Sequence, residues 1–381
     1  MAMPERAGMP TGAHDDDAAP VAQASARLIA SRAAQFKPPR LLRNPHLQSS
    51  LASSGLHRLL SRRARRTVER EMTEHLLDCG DGVRLQGFHS AQCVLPAARG
   101  LVVLLHGWEG SARSSYVINT GARLLDEGFD IFRLNFRDHG DTHHLNRELF
   151  HSCRIDEVVG AVQAMQSRFA PRSLALAGFS LGGNFALRVA LRAPAAGIAL
   201  RYALAVCPVV SPSAGLFGLE AAPWFYQKYF LYKWRTSLRR KQQLFSDRDW
   251  FSAADLAGNL RELTRALVLR HTDFGSLENY LEGYSIAGAR LKDLRIPATI
   301  LTAADDPVIP IADFRALDLP PAVELDIAAH GGHCGFISDW SLHSFTENYI
   351  AARMLLHVGG SAPADPNERP RAFLCGTPDF M

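Results

Sequence analysis

The chain has 381 residues, of which 47% are hydrophobic and 21% are charged, and its net charge is +4. These proportions are ordinary for a soluble globular protein, and the length predicts one large domain with an insertion or two domains. The charge is too small to indicate a nucleic-acid-binding protein, and no apolar run reaches the roughly 18 residues of a membrane span. The N-terminus lacks the pattern of a secretory signal, so we expect a cytoplasmic protein with reduced thiols.

Both ends of the chain differ in composition from its middle. Residues 1–40, rich in Ala, Pro, Gly and Asp, are predicted to form a disordered tail with room for a short helix near 24–34, and residues 358–381 are predicted to form a second tail. The basic segment Arg58–Arg70 follows the first tail. We interpret it as a solvated helix face. Attraction to an anionic membrane surface is the open alternative, and it would place the protein at the inner membrane face.

From about residue 71, short apolar runs alternate with helical patterns such as 115–127 and 155–168. This alternation predicts an α/β fold, with a mostly parallel eight-stranded sheet and helices on both of its faces. A short turn at 79–83 joins the first two strands, which favours an antiparallel hairpin at the sheet edge. The predicted strands are His75–Asp78, Arg84–His89, Leu101–His106, Asp130–Asn135, Ser173–Gly178, Arg201–Pro208, Ala298–Thr302 and Val323–Ile327.

The alternation breaks between residues 211 and 294, in a segment that has a helical pattern and a run dense in aromatic residues. The segment is too long for a simple connection between strands. We predict a helical cap or lid, 211–294, inserted after the sixth strand, so that the main domain consists of 41–210 and 295–357. Four aromatic residues of the cap are candidates either to line a pocket or to pack inside the cap: Trp224, Phe225, Tyr229 and Phe230.

One serine lies between a predicted strand and a predicted helix. Residues 178–182 read Gly-Phe-Ser-Leu-Gly, a pattern that in this context predicts a sharp turn with the Ser180 hydroxyl exposed above the sheet. A serine is a weak nucleophile until a base removes its proton, so an acid and then a histidine are expected later in the chain. The alternative interpretation is a glycine-rich helix N-terminus with a capping serine.

The partners of Ser180 are sought after the last two strands. Asp306 is the candidate acid because the Asp-Pro-x-x-Pro layout turns the chain away from the sheet directly after it, and Asp305 is the alternative. His333 is the candidate general base because two glycines before it allow its loop to reach the serine. His330, in the same loop, is interpreted as a structural or rim histidine.

Stabilisation of an oxyanion requires two N–H donors beside the serine. The first is the backbone amide of Leu181, at the start of the helix. The second is expected in the loop after the third strand, where Trp108 is the candidate and Glu109 the alternative. His106 precedes the serine in the chain, so we interpret it as a residue that holds this loop.

Residues 137–146 suggest a metal site, but their acidic and histidine side chains lack helical spacing and no second cluster matches them. We interpret them as a loop that shapes the mouth of a pocket, and no metal is expected. No Rossmann-type or P-loop glycine pattern occurs, so no cofactor is expected either. The acidic and histidine residues of segment 137–146 are Asp138, His139, Asp141, His143 and His144.

Several separated motifs together resemble the YheT-type α/β-hydrolases, which are related to α/β-hydrolase domain proteins 1, 2 and 3 and to yeast medium-chain fatty acid ethyl ester synthase/esterases. They are Asn44–Gln48, 106–125, Asn135–Arg137, 178–184, 276–285, 304–310 and 330–336. The resemblance covers roughly residues 40–355. It implies the α/β-hydrolase fold and a triad of Ser180, Asp306 and His333. Asp138-His139-Gly140-Asp141 departs from the glycine and small residues that usually follow Asn135-Phe-Arg137 in the family, so a different pocket is expected there.

These observations predict a serine hydrolase that cleaves short- to medium-chain acyl esters or lipids through an acyl-enzyme on Ser180. Two alternatives stay open: an acyltransferase that uses the same intermediate to make esters of small alcohols, and a non-catalytic binding protein on this scaffold. The expected partner is a small-molecule acyl ester, and no oligomeric state is predicted.

Overall fold

The structure is a computed structural model that describes residues 32–359 apart from 53 and 249. Within these residues one sheet has eight strands, in the order β1-β2-β4-β3-β5-β6-β7-β8 once they are numbered along the chain. β1 pairs antiparallel with β2 and β2 with β4, whereas all the other pairs are parallel. The strands are β1 (Met72–Asp78), β2 (Arg84–Ser90), β3 (Leu101–Leu105), β4 (Asp130–Leu134), β5 (Leu174–Phe179), β6 (Leu200–Val206), β7 (Ala298–Ala303) and β8 (Val323–Ala328).

The helices of the described residues fall before, between and after these strands. Two 3₁₀ turns, Ala33–Gln35 and Arg40–Arg43, precede them. The α-helices are α1 (Pro45–Ala52), α2 (Gly55–Leu60), α3 (Arg62–Glu69), α4 (Ser115–Asp126), α5 (Ile155–Phe169), α6 (Leu181–Arg192), α7 (Pro212–Ala221), α8 (Trp224–Leu244), α9 (Ala253–Ala257), α10 (Leu260–His271), α11 (Leu277–Gly283), α12 (Ile311–Arg315) and α13 (Phe345–His357).

The central strands are apolar on both faces because helices cover both faces. Every residue of β3, β5 and β7 is buried, as expected for strands inside a mostly parallel sheet. Helices α5 and α6 pack on one face, and α4 and α13 pack on the other. The predicted fold class is therefore confirmed.

The chain reverses its direction of travel across the sheet between β3 and β5. After β3 it moves outward to β4, and it then returns to β5 on the other side of β3. In open α/β sheets, ligands bind outside the carboxyl ends of the strands at such a switch point. Leu105 at the end of β3 is in register with Gly178 of β5, so the loop after β3 and the turn that carries Ser180 lie side by side.

The segment between β6 and β7 forms the cap, with α7 to α11 in its described residues. It has an apolar cluster of its own, which includes Trp234, Trp250 and Leu263. Helix α8 joins the cap to the main domain at the loop after β4. Lys241 of α8 is buried there, and its ammonium group donates to the Asp138 carboxylate at 2.7 Å and to the carbonyl of His143 at 3.2 Å.

The prediction of a disordered N-terminal tail is wrong for the last residues of that tail. The rest of the tail lies outside the described residues. Ala33 and Phe36 are buried in the core. The Ala33 amide donates to the Asp326 carboxylate of β8 at 2.8 Å, and Phe36 packs edge-on against Phe336. Burial of these two side chains orders a segment whose composition alone favours disorder. The helix near 24–34 and most of the tail at 358–381 lie outside the described residues.

Candidate active site

Ser180 occupies a strained turn directly between β5 and α6. Its backbone has φ 52° and ψ −117°, a conformation that non-glycine residues rarely adopt. The Ser180 amide donates to the Val206 carbonyl at 2.8 Å, which ties the turn to the end of β6. The hydroxyl is therefore held at the carboxyl edge of the sheet and faces a cavity below the cap.

The two glycines around Ser180 let the helix start unusually close to the sheet. A Cβ atom on Gly178 would lie 2.1 Å from the Gly182 carbonyl oxygen, and one on Gly182 would lie 2.4 Å from the His106 carbonyl oxygen. Both contacts are too short for any side chain. The Gly-x-Ser-x-Gly spacing is therefore required by the close approach of backbone to backbone at this turn.

A continuous chain of hydrogen bonds joins Ser180 to His333 and Asp306. His333 Nε2 lies 2.9 Å from Ser180 Oγ, and His333 Nδ1 lies 2.9 Å from Asp306 Oδ2. The other carboxylate oxygen of Asp306 accepts the backbone amides of Val308 and Ile309 at 2.8 and 3.0 Å. Since a carboxylate can only accept, Nδ1 carries the proton and the lone pair of Nε2 faces the serine hydroxyl.

The charge of Asp306 acts on His333 in a site with little access to water. The Asp306 side chain has no exposed surface, and that of His333 is 14% exposed. Burial by itself lowers the pKa of His333, but the Asp306 carboxylate and the neighbouring Cys334 outweigh it and raise this pKa to about 9. The arrangement therefore stabilises the imidazolium that forms when the ring takes a proton.

The alternatives Asp305 and His330 lie beside this chain of hydrogen bonds and not within it. Asp305 accepts the Gly332 amide at 2.9 Å, and His330 Nδ1 lies 3.4 Å from its carboxylate. Burial raises the pKa of Asp305, although the Gly332 amide lowers it. Both residues support the backbone of the loop that carries His333.

The same loop is also held by α1, which sequence reasoning did not anticipate. The His333 amide donates to Ser49 Oγ at 2.8 Å. Gln48, next to it, donates to the Ile337 carbonyl at 3.0 Å and accepts the Ile337 amide at 2.6 Å. The motif Asn44–Gln48, directly before Ser49, is part of the family resemblance and was the available signal, but nothing in its residue types points to the loop of His333, which lies 284 positions after Ser49.

His106 orients the peptide that precedes Trp108. Burial holds the pKa of His106 well below its ordinary value, so the ring is neutral. Its Nε2 accepts the Phe136 amide at 3.2 Å, and its Nδ1 donates to the Gly107 carbonyl at 2.7 Å. In a trans peptide the following N–H points opposite to that carbonyl. The Trp108 amide is therefore directed away from His106.

Gly107, which precedes Trp108, and Leu181 both lie next to the serine. Gly107 approaches Ser180 so closely that a Cβ atom on it would lie 3.4 Å from Ser180 Cβ. Leu181 is the first residue of α6, where an amide has no acceptor within the helix. The two candidate donor amides therefore belong to backbone that adjoins Ser180.

Helix α8 of the cap packs on the loop that carries Trp108. The Trp108 ring stacks on Phe230 at 5.5 Å and meets Trp234 edge-on at 5.3 Å. Lys233 donates to the Glu109 carbonyl. Burial raises the pKa of the Glu109 carboxyl to about 7, although Lys233 lowers it. The cap therefore contacts the loop that carries the candidate donor Trp108.

A cavity of about 250 Å³ extends from Ser180 under the cap. Of the four aromatic candidates for the pocket or the cap interior, Tyr229 and Phe230 line the cavity, whereas Trp224 and Phe225 do neither and are 70% and 40% exposed. The reason is helix geometry, since Trp224 and Phe225 open α8 on its outer side. Apolar lining residues from the other elements are Leu216, Leu219, Leu260, Leu267, Leu281 and Val308.

The acidic and histidine residues of the loop at 138–144 contact the cap. Asp138 pairs with Lys241, Asp141 accepts from Arg240 at 2.9 Å, and His143 Nε2 lies 2.7 Å from Ser237 Oγ. Burial raises the pKa of Asp138, although Lys241 lowers it. The departure from the family pattern at these positions therefore coincides with an attachment point for α8.

The basic segment Arg58–Arg70 forms most of α2 and α3. Val68 and Ser61 are buried, whereas Arg62, Arg63 and Arg66 are exposed. Beside them α2 exposes three leucines, Leu56, Leu59 and Leu60. Among the described residues, none of the helices combines the length and the apolar character needed to cross a bilayer.

Comparison with known proteins identifies the family. The model of the α/β hydrolase fold family matches residues 100–339. The chain belongs to this family. The YheT protein of Escherichia coli (strain K12), whose name assigns it provisionally to the esterases, is 28% identical over 322 residues, which are 82% of this chain and 90% of that protein. The YheT-type resemblance is thereby confirmed.

Other relatives of this α/β hydrolase match a smaller share of the chain. The pimeloyl-[acyl-carrier protein] methyl ester esterase of Stenotrophomonas maltophilia (strain K279a) is 29% identical over 283 residues, 69% of this chain and 95% of that protein. A serine hydrolase structure from Cycloclasticus zankles has a TM-score of 0.51 at 17% identity, covering 75% of this chain and 97% of that one. A Pyrococcus furiosus esterase structure has a TM-score of 0.50 at 16% identity, covering 76% and 92%. The two structures show the shared fold.

Proposed function

We propose that this α/β hydrolase cleaves carboxylic esters of short- to medium-chain acids through an acyl-enzyme on Ser180. The observation that carries the proposal is the unbroken hydrogen-bond chain from Asp306 through His333 to Ser180, next to a cavity with an apolar lining. Two relatives whose names contain the word esterase support the choice of esters.

The geometry suggests the order of the steps. His333 Nε2 takes the proton of Ser180 as Oγ attacks the ester carbonyl carbon, and Asp306 stabilises the resulting imidazolium. The amides of Trp108 and Leu181 donate to the oxyanion. His333 then gives its proton to the leaving alkoxide, which departs as an alcohol. Water repeats the sequence on the acyl-enzyme and releases the acid.

The lining of the cavity supports an acyl chain as the group bound there. Burial of each methylene group contributes about 0.8 kcal/mol, which corresponds to about fourfold in kcat/KM. Most of the side chains that line the cavity are apolar, Val308 and Leu281 among them. We expect kcat/KM to rise by up to this factor for each added carbon until the chain fills the cavity.

A series of p-nitrophenyl esters from acetate to laurate tests the proposal, with Ser180→Ala as the matched control. The expected result is hydrolysis that peaks at an intermediate chain length and is lost in the variant. Hydrolysis of all the esters at the wild-type rate by Ser180→Ala would contradict the mechanism. Repeating the assay with ethanol present and analysing the products distinguishes hydrolysis from acyl transfer, because an ethyl ester forms only in acyl transfer.

A peripheral contact with an anionic membrane surface is a further part of the proposal. The exposed leucines of α2 next to the exposed arginines of α3 support it, since such a surface combines apolar insertion with charge attraction. Sedimentation with vesicles containing phosphatidylserine is the test. Binding that weakens as salt is added is expected, and no binding at low salt would refute the contact.

A further inference from the structure

Two cysteines lie close to His333 in the candidate active site. Cys207 directly follows β6, and Cys334 directly follows His333. The two sulfur atoms and a ring nitrogen of His333 all lie within 4.8 Å of one another. The described residues contain this one group of three side chains close enough to share a metal ion.

The backbone holds both sulfurs in place. Cys207 has φ 43° and Cys334 has φ 58°, in the left-handed region that costs energy for residues other than glycine. The Cys207 amide donates to the Leu301 carbonyl at 2.7 Å. The Cys334 thiol lies 3.6 Å from the Val206 carbonyl, and the Cys207 thiol lies 3.9 Å from the Gly332 carbonyl. The two thiols also bond to each other, so both sulfurs already face one another.

Access to the group is from the catalytic cavity. Cys334 and His333 both line the cavity and are partly exposed. Cys207 is fully buried behind them. An ion that entered beside Ser180 would thus meet two of the three side chains first and would keep a water molecule on its open side.

Two thiols and an imidazole are the ligands that Zn²⁺ prefers in proteins. Zinc bonds of about 2.3 Å to sulfur and about 2.0–2.1 Å to nitrogen place tetrahedral ligand atoms about 3.5–3.8 Å apart. The separations of up to 4.8 Å here would have to shorten by at most about 1.3 Å. Side-chain rotation of Cys334 and His333 at the cavity wall can supply that movement.

We propose that Cys207, His333 and Cys334 bind one Zn²⁺ ion and that this binding inhibits the enzyme. Each thiol releases its proton to solvent as a sulfur–zinc bond forms, and the imidazole contributes a nitrogen lone pair without any change of oxidation state. One ring nitrogen of His333 is bonded to Asp306 and the other to Ser180. Whichever nitrogen binds zinc, one of those two hydrogen bonds is lost. Inhibition rests on the proposed role of His333, whereas zinc binding does not.

The test is a titration with Zn²⁺ in the presence of a phosphine reductant, followed by ester hydrolysis and by competition with a chromogenic chelator. The expected result is one bound ion per chain and inhibition that a chelator reverses. Cys207→Ala is expected to keep its activity without metal and to need at least about tenfold more zinc for half-inhibition, because it lacks one ligand. Cys79→Ala, which removes a different buried thiol, should behave like the wild type.

Two further measurements test zinc binding independently of the proposed ester hydrolysis. Ser180→Ala should bind one Zn²⁺ as tightly as the wild type, so binding can be scored even if the proposed hydrolysis is absent. If Cys207→Ala does not fold, Cd²⁺ bound to the wild-type protein should give the ultraviolet absorption of cadmium–thiolate bonds. Equal zinc sensitivity of Cys207→Ala and wild type, absence of that absorption, or inhibition reversed only by more reductant would overturn the proposal.

Discussion

The surroundings of Ser180 and the cap above it are held by different kinds of contact. Around Ser180, backbone groups at the ends of strands and in adjoining turns fix the side chains, as the Val308 and Ile309 amides fix Asp306. The cap is joined to the main domain largely through side chains of α8, such as Lys241 and Lys233. Backbone contacts tolerate little change, whereas side-chain contacts can vary. The main domain therefore positions Ser180, His333 and Asp306, whereas the cap supplies part of the cavity wall beside them.

The largest expected effect is a loss of kcat that distinguishes the adjacent carboxylates Asp306 and Asp305. Asp306→Asn should lower kcat by about 10⁴-fold, because the amide can donate to His333 and so favours the wrong tautomer. Asp305→Asn should lower kcat by less than about tenfold, because Asp305 contacts the Gly332 amide and His330 and does not contact His333, and a side-chain amide oxygen can still accept the Gly332 amide. Steady-state kinetics of both variants provide the measurement. Equal losses would mean that the two carboxylates act together.

The attachment of the cap offers a second pair of variants. Lys241→Met should lower the free energy of unfolding by about 3–5 kcal/mol, because it leaves the Asp138 carboxylate buried without its partner. Arg240→Met removes a neighbouring pair on the same helix, Arg240 with Asp141, whose partners are both largely exposed. That change should cost about 0.2–1 kcal/mol. Urea unfolding measures both, and similar losses would show that burial of Lys241 is unimportant.

The pH dependence of hydrolysis reports on His333. Protonated imidazole cannot accept the Ser180 proton, so kcat/KM should fall about tenfold per pH unit below the pKa of His333. Asp306 raises that pKa towards about 9, above the ordinary 6.5. Activity is therefore lost as the pH falls, with an apparent pKa above 6.5. A profile from pH 5 to 9.5 is the measurement, and a flat profile would exclude His333 as the base.

The smallest expected effect concerns the cap wall of the cavity. Leu219 of α7 is half-buried and lines the cavity, so Leu219→Trp can enter it without a large change in the core. The preferred acyl chain should shorten, with about fourfold loss in kcat/KM for each methylene that no longer fits. Leu244→Trp, at an exposed position at the end of α8, is the control. An unchanged preference would place the acyl chain elsewhere.

The sheet and the Ser180 turn were predictable because their signals are local. Buried central strands read as apolar runs, as in Leu101–Leu105, and the turn requires glycines at fixed spacing. The edge strand shows the limit of this signal. β1 begins at Met72, and its first residues are partly or fully exposed, so the apolar pattern by which a strand is recognised is missing there.

Contacts between distant segments could not be predicted in this way. Ser49 accepts the His333 amide, and Lys241 is buried beside Asp138, yet a serine on a helix and a lysine in a basic run both read as exposed residues. Their burial depends on how the cap and α1 pack on the sheet. Trp224 and Phe225 show the opposite case. Both aromatic side chains were candidates for burial in a pocket or in the cap, yet both are exposed to solvent.

Covalent labelling of Ser180 tests the central claim most directly. The wild-type protein is treated with a fluorophosphonate, and the modified peptide is identified by mass spectrometry. The account predicts one adduct per chain, on Ser180, with no adduct on Ser180→Ala and much slower labelling of His333→Ala. Labelling of another residue, or equally fast labelling of His333→Ala, would contradict it.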